Sequence, residues 1–593
     1  MKTLIVAVNS KYIHSSLSVW YLKSSCGCEY GEIKVSEYTI NDNIDSVLSS
    51  VYLEKANVVA VSCYIWNIAY VLRLTEGLKE VLPHIKIVLG GPEVSYDPRD
   101  ILKTNPCIDF IIAGEGEHAF RLLLKNIYEA SADLINIKGL TYRVNDSVYS
   151  NGGFNLIENL DSIPSPYGED MLASIGDKRI VYYESSRGCP FSCAYCISST
   201  FEGVRCFSLE RVKRDLAKLI DAKVKQIKFV DRTFNCNRSR AMEILKFVVD
   251  NAGETNFHFE AGGDLFDDEM LRLLSQVPKG LIQFEIGIQT VNEKAAASVN
   301  RRTNLNKLFD NIEKLRSQNN IHLHLDIIAG LPWEDYESFG RSFDYVYALK
   351  PHQLQLGFLK LLKGSAIRED AEQHLYRFKS YPPYEVLCNK YISYDEIIEL
   401  KGIEDMVEKY YNSGKFQRTL KYAVSNYFDS AFEFYRSFNM YVQDKELFKR
   451  AVSLRELYGI LKGFLEGIAG ASDLGLVNEL LKFDFLSADS SNNLPEGLER
   501  ERTVDVNELT FEFLKKEANI DAYLRMYKGV PAKQIFKKIH IEIFNYDIIS
   551  ENLEKEKTAV IFNYSGKDRV TGLYEYIKIK NIKFHRGGFY EYS

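Results

Sequence analysis

The sequence predicts an α/β protein in which a doubly wound parallel sheet is followed by a partial (βα)6 barrel and then by a mainly helical domain. Short apolar runs alternate with amphipathic stretches twice along the chain, first within residues 1–140 and again within residues 179–365. Such alternation is typical of parallel strands covered by helices. Within residues 366–593, long amphipathic stretches replace the alternation and predict helices.

The composition is ordinary for a globular chain of several domains. The chain has 593 residues, 46% of them hydrophobic, and no apolar run reaches the roughly 18 residues of a membrane helix, so we expect no membrane partner. The net charge of −7 gives no support to nucleic-acid binding, which usually leaves a basic footprint. Ten cysteines, three of them clustered, do not suggest a disulfide framework and favour a reducing, cytoplasmic location.

The first domain is predicted to span residues 1–140. Its strands are predicted at Thr3–Val8, Ile33–Tyr38, Val58–Ser62, Ile85–Leu89 and Asp109–Ala113, and its helices near 15–25, 44–55, 67–82 and 117–129. Ligands of such sheets bind beyond the carboxyl ends of the strands. That is where this chain places small and polar residues, including Ser62, Gly90-Gly91 and Gly114-Glu115-Gly116-Glu117. Glycines there let the backbone approach a bulky ligand.

A linker and a barrel are predicted next. Residues 141–178 are rich in Gly, Asn, Ser and Pro, a composition typical of a connector. In the barrel, residues 179–365, the strands are predicted at 180–185, 226–230, 256–261, 281–287, 321–328 and 352–358, and the helices near 208–222, 237–250, 267–276, 291–298, 304–318 and 335–348. Barrel active sites lie at the carboxyl ends of the strands, which places the loop after the first strand in the site.

That loop holds the most informative motif of the chain, Cys189-Pro-Phe-Ser-Cys193-Ala-Tyr-Cys196, with the spacing C-x3-C-x2-C. A [4Fe–4S] cluster normally takes four protein thiolates, so three leave one iron open to a substrate. A zinc site is the alternative. Zinc sites usually close with four ligands, however, and the nearest spare thiols, Cys206 and Cys236, do not form a second C-x2-C pair.

The motif resembles that of the radical S-adenosylmethionine (SAM) superfamily. The resemblance implies that Cys189, Cys193 and Cys196 hold a [4Fe–4S] cluster whose open iron chelates SAM, and that Tyr195 lies near the SAM adenine. Electron transfer to SAM would release a 5′-deoxyadenosyl radical, a chemistry that belongs to the cofactor while the protein orients and shields it. The implied partner is a low-potential electron donor such as flavodoxin or ferredoxin.

Polar residues at the other strand ends are the predicted SAM contacts. The superfamily often has Gly-Gly-Glu after the second strand, whereas this chain has Asp231-Arg232-Thr233, so backbone carbonyls of this segment or Asp231 would have to hold the SAM amino group. Buried carboxylates need partners, so Glu260, Glu285 and Asp326 are expected to pair with SAM or with a cation. The candidate cations are Arg232, Arg302 and Lys360. The predicted SAM-binding residues are Tyr195, Asp231, Glu260, Glu285, Gln289, Ile328 and Gly330.

The loops of the first domain resemble those of the cobalamin-binding domain found N-terminal to many radical SAM enzymes. A serine, a glycine pair and a Gly-Glu-Gly-Glu loop follow its third, fourth and fifth strands. The implied cobalamin-binding residues are Ser62, Tyr64, Trp66, Gly90, Gly91, Pro92, Glu93, Gly114, Glu115, Gly116 and Glu117. The alternative is a sheet of this type that binds nothing or another nucleotide.

The first loop departs from the wider cobalamin-binding fold. The sequence D-x-H-x-x-G, whose histidine ligates cobalt from below in other cobalamin proteins, is absent. The resemblance therefore implies cobalamin with its own base displaced and no protein histidine on cobalt. Tyr64 or Trp66 is expected at the lower cobalt face, with a place in the core as the alternative. His14 and His84 are expected at the surface or at helix ends.

The last third, residues 366–593, resembles an uncharacterised domain attached to some cobalamin-binding radical SAM proteins. Its helices are predicted near 393–411, 415–440, 444–470 and 474–483, with a loop at Ser487–Glu501 and mixed α/β structure from 505 that includes a strand at Ala559–Tyr564. Its aromatic residues at helical spacing, such as Tyr435 and Phe438, are expected to form a core. The domain is expected to cap the barrel mouth and to help select the substrate.

The predicted function is that of a cobalamin-dependent radical SAM enzyme, most simply a methyltransferase acting on an unactivated carbon of an unknown substrate. One alternative keeps the cofactors and performs a rearrangement or cyclisation. A second is a methylthiotransferase acting on tRNA or protein, for which Cys26, Cys63 and Cys107 are the candidate ligands of a second cluster. A third is a non-catalytic cobalamin-binding sensor. The sequence identifies no general acid or base.

Overall fold

The computed structural model describes residues 1–131, 133–176, 180–201, 203–470, 473–491, 493–500, 505–580, 582–585 and 588–591. They form two units. The first comprises residues 1–321, 328–335 and 357–393, and the second comprises 322–327, 336–356 and 394–593. Within the described ranges, no helix combines the length and the apolar character that crossing a bilayer requires.

The first five strands form the predicted parallel sheet. They are β1 (Lys2–Asn9), β2 (Glu32–Thr39), β3 (Val58–Ser62), β4 (Lys86–Gly90) and β5 (Phe110–Ile112), paired in the order β2-β1-β3-β4-β5. The helices are α1 (Leu17–Ser25), α2 (Ile44–Leu53), α3 (Ile68–Val81), α4 (Pro92–Ser95), α5 (Pro98–Thr104) and α6 (Gly116–Tyr128). All five residues of β3 are buried, as expected of a central strand with helices on both faces.

A hairpin extends this sheet where the sequence predicts a linker. Strands β6 (Leu140–Val144) and β7 (Ser147–Ser150) pair antiparallel to each other, and β6 pairs antiparallel to β5. The prediction missed this hairpin because the glycines and serines of the segment are typical of a connector. The short strand β6, in which Thr141 is buried, was not recognised. A short 3-10 turn and helix α7 (Glu169–Ile175) follow. The predicted end of the linker, residue 178, and the predicted start of the barrel, residue 179, lie outside the described residues.

The strands and helices of the predicted barrel are present. Strands β8 (Ile180–Tyr183), β11 (Gln226–Phe229), β12 (Asn256–Glu260) and β13 (Ile282–Gln289) pair in parallel in that order, and β9 (Ser186–Gly188) pairs antiparallel with β10 (Val204–Cys206). The helices between them are α8 (Leu209–Asp221), α9 (Arg238–Asn251), α10 (Asp268–Ser275), α11 (Glu293–Ser298) and α12 (Leu305–Ser317). The last strands and helices are β14 (His322–Ala329), α13 (Tyr336–Ala348) and β15 (Gln353–Phe358). The predicted α/β fold class is thus confirmed.

Three short elements complete the first unit: α14 (Ala366–Glu369) and the antiparallel pair β16 (Arg377–Phe378) and β17 (Val386–Cys388). The second unit continues with helices α15 (Tyr394–Met406), α16 (Gln417–Tyr427), α17 (Ala431–Asp444), α18 (Leu454–Glu466), α19 (Leu474–Ala488), α20 (Val506–Lys515), α21 (Glu517–Tyr523) and α22 (Ala532–Ile535). Strands β18 (Ile539–Phe544), β19 (Thr558–Lys567) and β20 (Tyr574–Lys578) form an antiparallel sheet, and β21 (Ile582–His585) pairs with β22 (Gly588–Glu591).

The C-terminal helices differ from the prediction at two points. The stretch predicted at 415–440 is two helices, because Ser430 caps α17 by accepting a hydrogen bond from the Glu433 amide at 3.2 Å. Helix α18 begins ten residues later than predicted, at a capping box formed by Ser453 and Glu456. Tyr435 and Phe438 are fully buried, which confirms their expected place in the core. Residues 492 and 501 of the predicted loop lie outside the described residues.

Replacing Gly114 by Ala should destabilise the first domain more than replacing Gly152 by Ala. Both glycines have positive φ, +88° and +69°, and so carry the left-handed penalty of about 1–2 kcal/mol for any other residue. Only at Gly114 would the new Cβ lie 2.6 Å from a backbone oxygen, that of Asn155. Urea unfolding of the two variants should give the lower midpoint for Gly114→Ala. Equal midpoints for the two variants would show that a Cβ at residue 114 does not clash with the Asn155 carbonyl.

Candidate functional site

The carboxyl ends of β1, β3, β4 and β5 line a cavity of about 1010 Å³. It is large beside the roughly 300–1,000 Å³ of typical small-molecule sites. The loops that follow these strands supply all eleven of the residues predicted to bind cobalamin: Ser62, Tyr64, Trp66, Gly90, Gly91, Pro92, Glu93, Gly114, Glu115, Gly116 and Glu117. The same cavity is lined by residues at the ends of barrel strands, namely Glu184, Val230, Arg232 and Glu260. Of the predicted SAM-binding residues, Glu260 lines this cavity together with the predicted cobalamin-binding residues. The three motif cysteines and the other predicted SAM-binding residues are not among the residues that line it.

Two stacked aromatic rings line this cavity. Tyr64 and Trp66 stack with ring centroids 4.4 Å apart and planes 4° from parallel. The Tyr64 hydroxyl donates to Ser18 Oγ at 3.1 Å, and Trp66 Nε1 donates to the Val8 carbonyl at 3.2 Å. Trp66 is 44% exposed, so it is not a core aromatic residue. The pair is a rigid apolar surface suited to the face of a large planar ligand.

His14 lies on this cavity, which corrects the expectation that it is a surface or helix-end residue. Its Nδ1 is 2.8 Å from the Tyr182 hydroxyl of β8. Burial, then the nearby charges of Lys11 and Lys228, lower the His14 pKa, so the imidazole is held neutral. The sequence could not show this, because the loop after β1 pairs with Ile180, a residue far away along the chain.

The three motif cysteines lie on the loop that follows β9, and Cys193 and Cys196 flank a tight turn within it. The Cys196 amide donates to the Cys193 carbonyl at 3.0 Å, and Ser199 Oγ donates to the carbonyls of Cys193 and Cys196 at 3.1 and 2.6 Å. Cys189 Sγ lies 3.7 Å from Thr233 Oγ1. All three cysteines are free thiols. The neighbouring Gly188, Ile197 and Ser198 line the cavity, which places the turn at its edge.

Asp231 supports this turn. Its carboxylate is buried and accepts hydrogen bonds from the Ser185 amide at 2.9 Å, from Ser185 Oγ at 2.6 Å and from Ser186 Oγ. Burial raises the Asp231 pKa against the opposing effect of these donors. Asp231 was predicted to contact SAM in place of Gly-Gly-Glu. Its hydrogen bonds instead hold the segment just before the cysteines.

Glu285 has partners other than those predicted. Its carboxylate lies 2.9 Å from both Lys228 Nζ of β11 and His258 Nε2 of β12. The prediction named SAM or a more distant cation, because it did not use the in-register pairing that places Lys228 beside His258. Glu260, the last residue of β12, lines the cavity.

Arg301 is a candidate site residue that sequence reasoning left without a role. Its Nη1 lies 4.0 Å from Cys193 Sγ, and its Nη2 donates to the Gly287 carbonyl. Burial raises the pKa of the adjacent Tyr195, and the positive charge of Arg301 opposes this. A guanidinium beside a thiolate stabilises negative charge on sulfur. The sequence feature that could have identified Arg301 is the run Asn300-Arg301-Arg302, which lies close after the end of α11.

Three further predicted SAM residues lie at or near the ends of β13 and β14. Gln289 ends β13 with a φ of +72°, and its side chain folds back over Gly287, where a Cβ would lie 2.1 Å from Nε2. A strained residue of this kind is a reason to suspect function. Ile328 is half-buried in β14. The carbonyl of Gly330 accepts hydrogen bonds from Tyr376 Oη at 2.8 Å and Asn389 Nδ2 at 2.9 Å.

A buried group of charges connects the loop after β5 to β9; we call Glu115, Glu117, Glu184, Arg187 and Arg205 the ion network. Arg187 contacts Glu117 at 2.5 Å, Glu184 at 3.0 Å and Glu115 at 3.5 Å. Arg205 binds Glu115 with two nitrogens, at 2.6 and 2.9 Å. Burial acts to raise the Glu115 pKa, but the two guanidinium groups outweigh it and the pKa is lowered. Two predicted cobalamin-binding carboxylates are thus held by arginines.

The family comparisons agree with these two sets of residues. Residues 3–124 match the model of the B12 binding domain, residues 183–346 match the radical SAM superfamily, and residues 372–562 match a protein family of unknown function, DUF4080. The chain carries a B12-binding domain and a radical SAM domain. The resemblance stated from the sequence is therefore confirmed, together with the cofactor set of cobalamin, a [4Fe–4S] cluster and SAM.

Individual relatives of this B12-binding radical SAM protein are distant. The cobalamin-dependent radical SAM methyltransferase TokK of Streptomyces tokunonensis is 25% identical, over 55% of this chain and 50% of its own. An anaerobic magnesium-protoporphyrin IX monomethyl ester cyclase of Synechocystis is 27% identical, over 47% of this chain and 56% of its own. The structure of OxsB, a cobalamin-dependent SAM radical enzyme with aqua-cobalamin and SAM bound, has a TM-score of 0.57 at 13% identity, covering 82% of this chain and 79% of OxsB. The chain spans about half the length of the curated relatives.

The residues present fit these cofactors. Three free thiols on one loop are the donors that a [4Fe–4S] cluster takes when one iron is left for SAM. Two buried polar atoms near the two cofactor positions, Glu117 Oε2 and Gln289 Oε1, have no hydrogen-bond partner among the described residues. Such atoms are the acceptors that a bound molecule with amide or ammonium donors would satisfy.

Replacing Glu184 by Gln should remove a pH dependence from the stability of the cofactor-free protein. Burial, opposed by Arg187, raises the Glu184 pKa to about 7 from 4.5. The folded state then binds a proton that the unfolded state has already lost, so this carboxyl reduces stability as pH rises from 4.5 to above 7. The effect is on the order of 3 kcal/mol. Urea unfolding between pH 5 and 8 should show a smaller loss of stability for Glu184→Gln than for the parent protein.

The matched control for this measurement is Glu210→Gln, at an exposed carboxylate in the first turn of α8. It should follow the pH profile of the parent protein. A Glu184→Gln profile parallel to that of the parent would show that Glu184 does not hold the extra proton.

Proposed function

We propose that this protein is a cobalamin-dependent radical SAM methyltransferase that acts on an unactivated carbon. We further propose a cytoplasmic location, where free thiols such as Cys189, Cys193 and Cys196 stay reduced. A low-potential donor such as flavodoxin or ferredoxin would supply the electron. Neither a membrane nor a nucleic acid is a proposed partner.

The observation that carries this proposal is the shared cavity. The loops after β3, β4 and β5 line it together with Gly188 and Ser198 of the cysteine loop and with Glu260 of the barrel. Radical chemistry needs its two cofactors close together, because a primary radical reacts with any C–H bond that it meets. A cavity lined by both sets of residues meets that requirement.

The chain's own residues would position the cofactors. When bound, the cluster with SAM would supply the radical and the corrinoid would supply the methyl group. The Tyr64–Trp66 stack would support one face of the corrin. The neutral His14 has its Nδ1 engaged by the Tyr182 hydroxyl. Arg301 would stabilise the thiolate of Cys193 and hold it against β13 through the Gly287 carbonyl.

A second outcome, rearrangement or cyclisation with the same cofactors, has a specific observation in its favour: the resemblance to the cyclase of Synechocystis. The cavity residues described above serve either outcome, because both begin with hydrogen abstraction by the same radical. The mass of the product distinguishes them, since methyl transfer adds about 14 mass units.

The geometry disfavours a methylthiotransferase. Cys63 directly follows the carboxyl end of β3, whereas Cys107 precedes β5, and Cys26 follows the end of α1. In a parallel sheet, a residue that follows a strand lies at the carboxyl edge, and residues that precede a strand lie at the amino edge. Cys63 therefore lies at the opposite edge from Cys26 and Cys107. Three thiols separated in this way do not converge on a second cluster. The inert-sensor alternative predicts that the cysteine turn is dispensable, and the experiment below tests it.

Anaerobically reconstituted protein with a reductant should convert SAM to 5′-deoxyadenosine. The Cys193→Ala variant should lose at least 100-fold in this rate, because the cluster then has two protein ligands instead of three (an order-of-magnitude expectation). The Cys388→Ala variant is the matched control, since Cys388 is a free cysteine of β17 outside the motif. Chromatography of the nucleoside products measures both. Absence of 5′-deoxyadenosine from the parent protein would exclude the radical step.

Replacing Trp66 by Ala should alter the absorption spectrum of bound cobalamin and weaken its binding. Loss of the exposed indole removes half of the stacked wall, and one aromatic contact of this kind is worth about 0.5–1.5 kcal/mol beyond its area. The exposed Trp333 contacts Tyr391 with ring planes tilted by 41° and is not among the residues that line the cavity, so it provides the control variant Trp333→Ala. An unchanged spectrum and affinity for Trp66→Ala would remove Trp66 from the lower cobalt face.

A further inference from the structure

The ion network forms a continuous connection between the two proposed cofactor positions. Glu115 and Glu117 belong to the loop after β5, and Arg187 lies two residues before the first motif cysteine, Cys189. All five members of the network line the cavity. A ligand held by the loop after β5 therefore lies within reach of charges that are attached to the cysteine loop.

Both ends of this connection are stiff. At one end, the Glu115 amide donates to the Asn155 carbonyl at 2.8 Å and Asn155 Nδ2 returns a bond to the Glu115 carbonyl at 2.7 Å. At the other end, Gly188 has a φ of +97°, and a Cβ there would lie 2.2 Å from the Gly203 carbonyl oxygen. Tightly fitted segments do not absorb a displacement within themselves. A shift of the Glu115–Glu117 loop is therefore transmitted to the strand before Cys189.

The network also resists partial opening. The side chains of Arg187 and Glu117 are only 11% and 7% exposed. Removing one partner of a buried ion pair leaves an uncompensated charge, which is far more costly than losing an exposed pair. Arg205 reinforces the arrangement, because it pairs across the β9–β10 ladder with Arg187 and also holds Glu115. The five residues therefore favour the fully formed network over partly opened ones.

We propose that Arg187 is a positioning residue that couples cobalamin binding to the formation of the cluster-binding turn. This inference rests on the proposed function. A cofactor that fixes the loop after β5 fixes Arg187, and through it the backbone that leads into Cys189. The second cofactor then meets a loop in the position that the first cofactor selects, and it binds more tightly. Linkage requires the effect to be reciprocal, and couplings of this kind are typically about 5- to 150-fold.

The test is a ratio of two dissociation constants for hydroxocobalamin, measured by equilibrium dialysis. One is measured with the [4Fe–4S] cluster reconstituted, and the other after the same full-length protein has been stripped of iron by a chelator. In the parent protein, the cluster should tighten cobalamin binding at least about 5-fold. In Arg187→Gln the ratio should fall to within about 2-fold of one, whatever happens to the affinity itself.

Three further variants give the experiment its controls. Arg187→Lys keeps the charge but not the fork of nitrogens, and should restore part of the ratio. Glu117→Gln removes one arm and leaves Arg187 paired with Glu184, so it should lower the ratio without exposing an unpaired arginine. If Arg187→Gln does not fold, the ratio measured for Glu117→Gln tests the coupling in its place. Arg214→Gln, at an exposed arginine of α8, should keep the parent ratio.

The outcomes separate this inference from the proposed function. If the parent protein binds neither cobalamin nor iron, the proposed function fails. If it binds both, but with a ratio at or below one, the coupling fails and the proposed function stands. A parent-like ratio in the folded Arg187→Gln protein, or in Glu117→Gln when Arg187→Gln does not fold, would equally overturn the role of Arg187.

Discussion

Charge compensation by Arg187 and Arg205 is the constraint on which the candidate site depends. Three carboxylates, Glu115, Glu117 and Glu184, line one cavity, and unpaired they would repel one another and each would demand water. The two guanidinium groups let these residues remain in place. Because Arg187 and Arg205 face each other across the β9–β10 ladder, the same pairs fix the strand that leads to the cysteines.

The elements that the sequence predicted well are those set by local pattern. Strand β3 was predicted residue for residue, because it is a short apolar run between turn residues. The cysteine motif and the glycine loops were also readable, since each is a fixed spacing within a few residues. The parallel-sheet rule then placed the loops at one edge, and the structure has them on one cavity.

What the sequence could not predict depends on pairing between distant residues. The partners of Glu285 come from two other strands, and their identity requires the register of the sheet. Asp231 was predicted from its place after the second barrel strand, whereas its hydrogen bonds to Ser185 and Ser186 arise from the parallel pairing of β8 with β11. The place of His14 likewise depends on a contact with a residue more than 150 positions away. Local patterns carry no information of this kind.

The stacked pair at the cavity wall gives the chain a built-in optical reporter. The sequence has three tryptophans. Trp20 is buried with its indole nitrogen bound to Glu37, and Trp333 is exposed, with Lys294 Nζ 3.6 Å from the centroid of its ring. Trp66 alone of the three lines the cavity, and its ring is nearly half open to solvent. Its intrinsic fluorescence is therefore the signal in this protein that responds most directly to filling of that space.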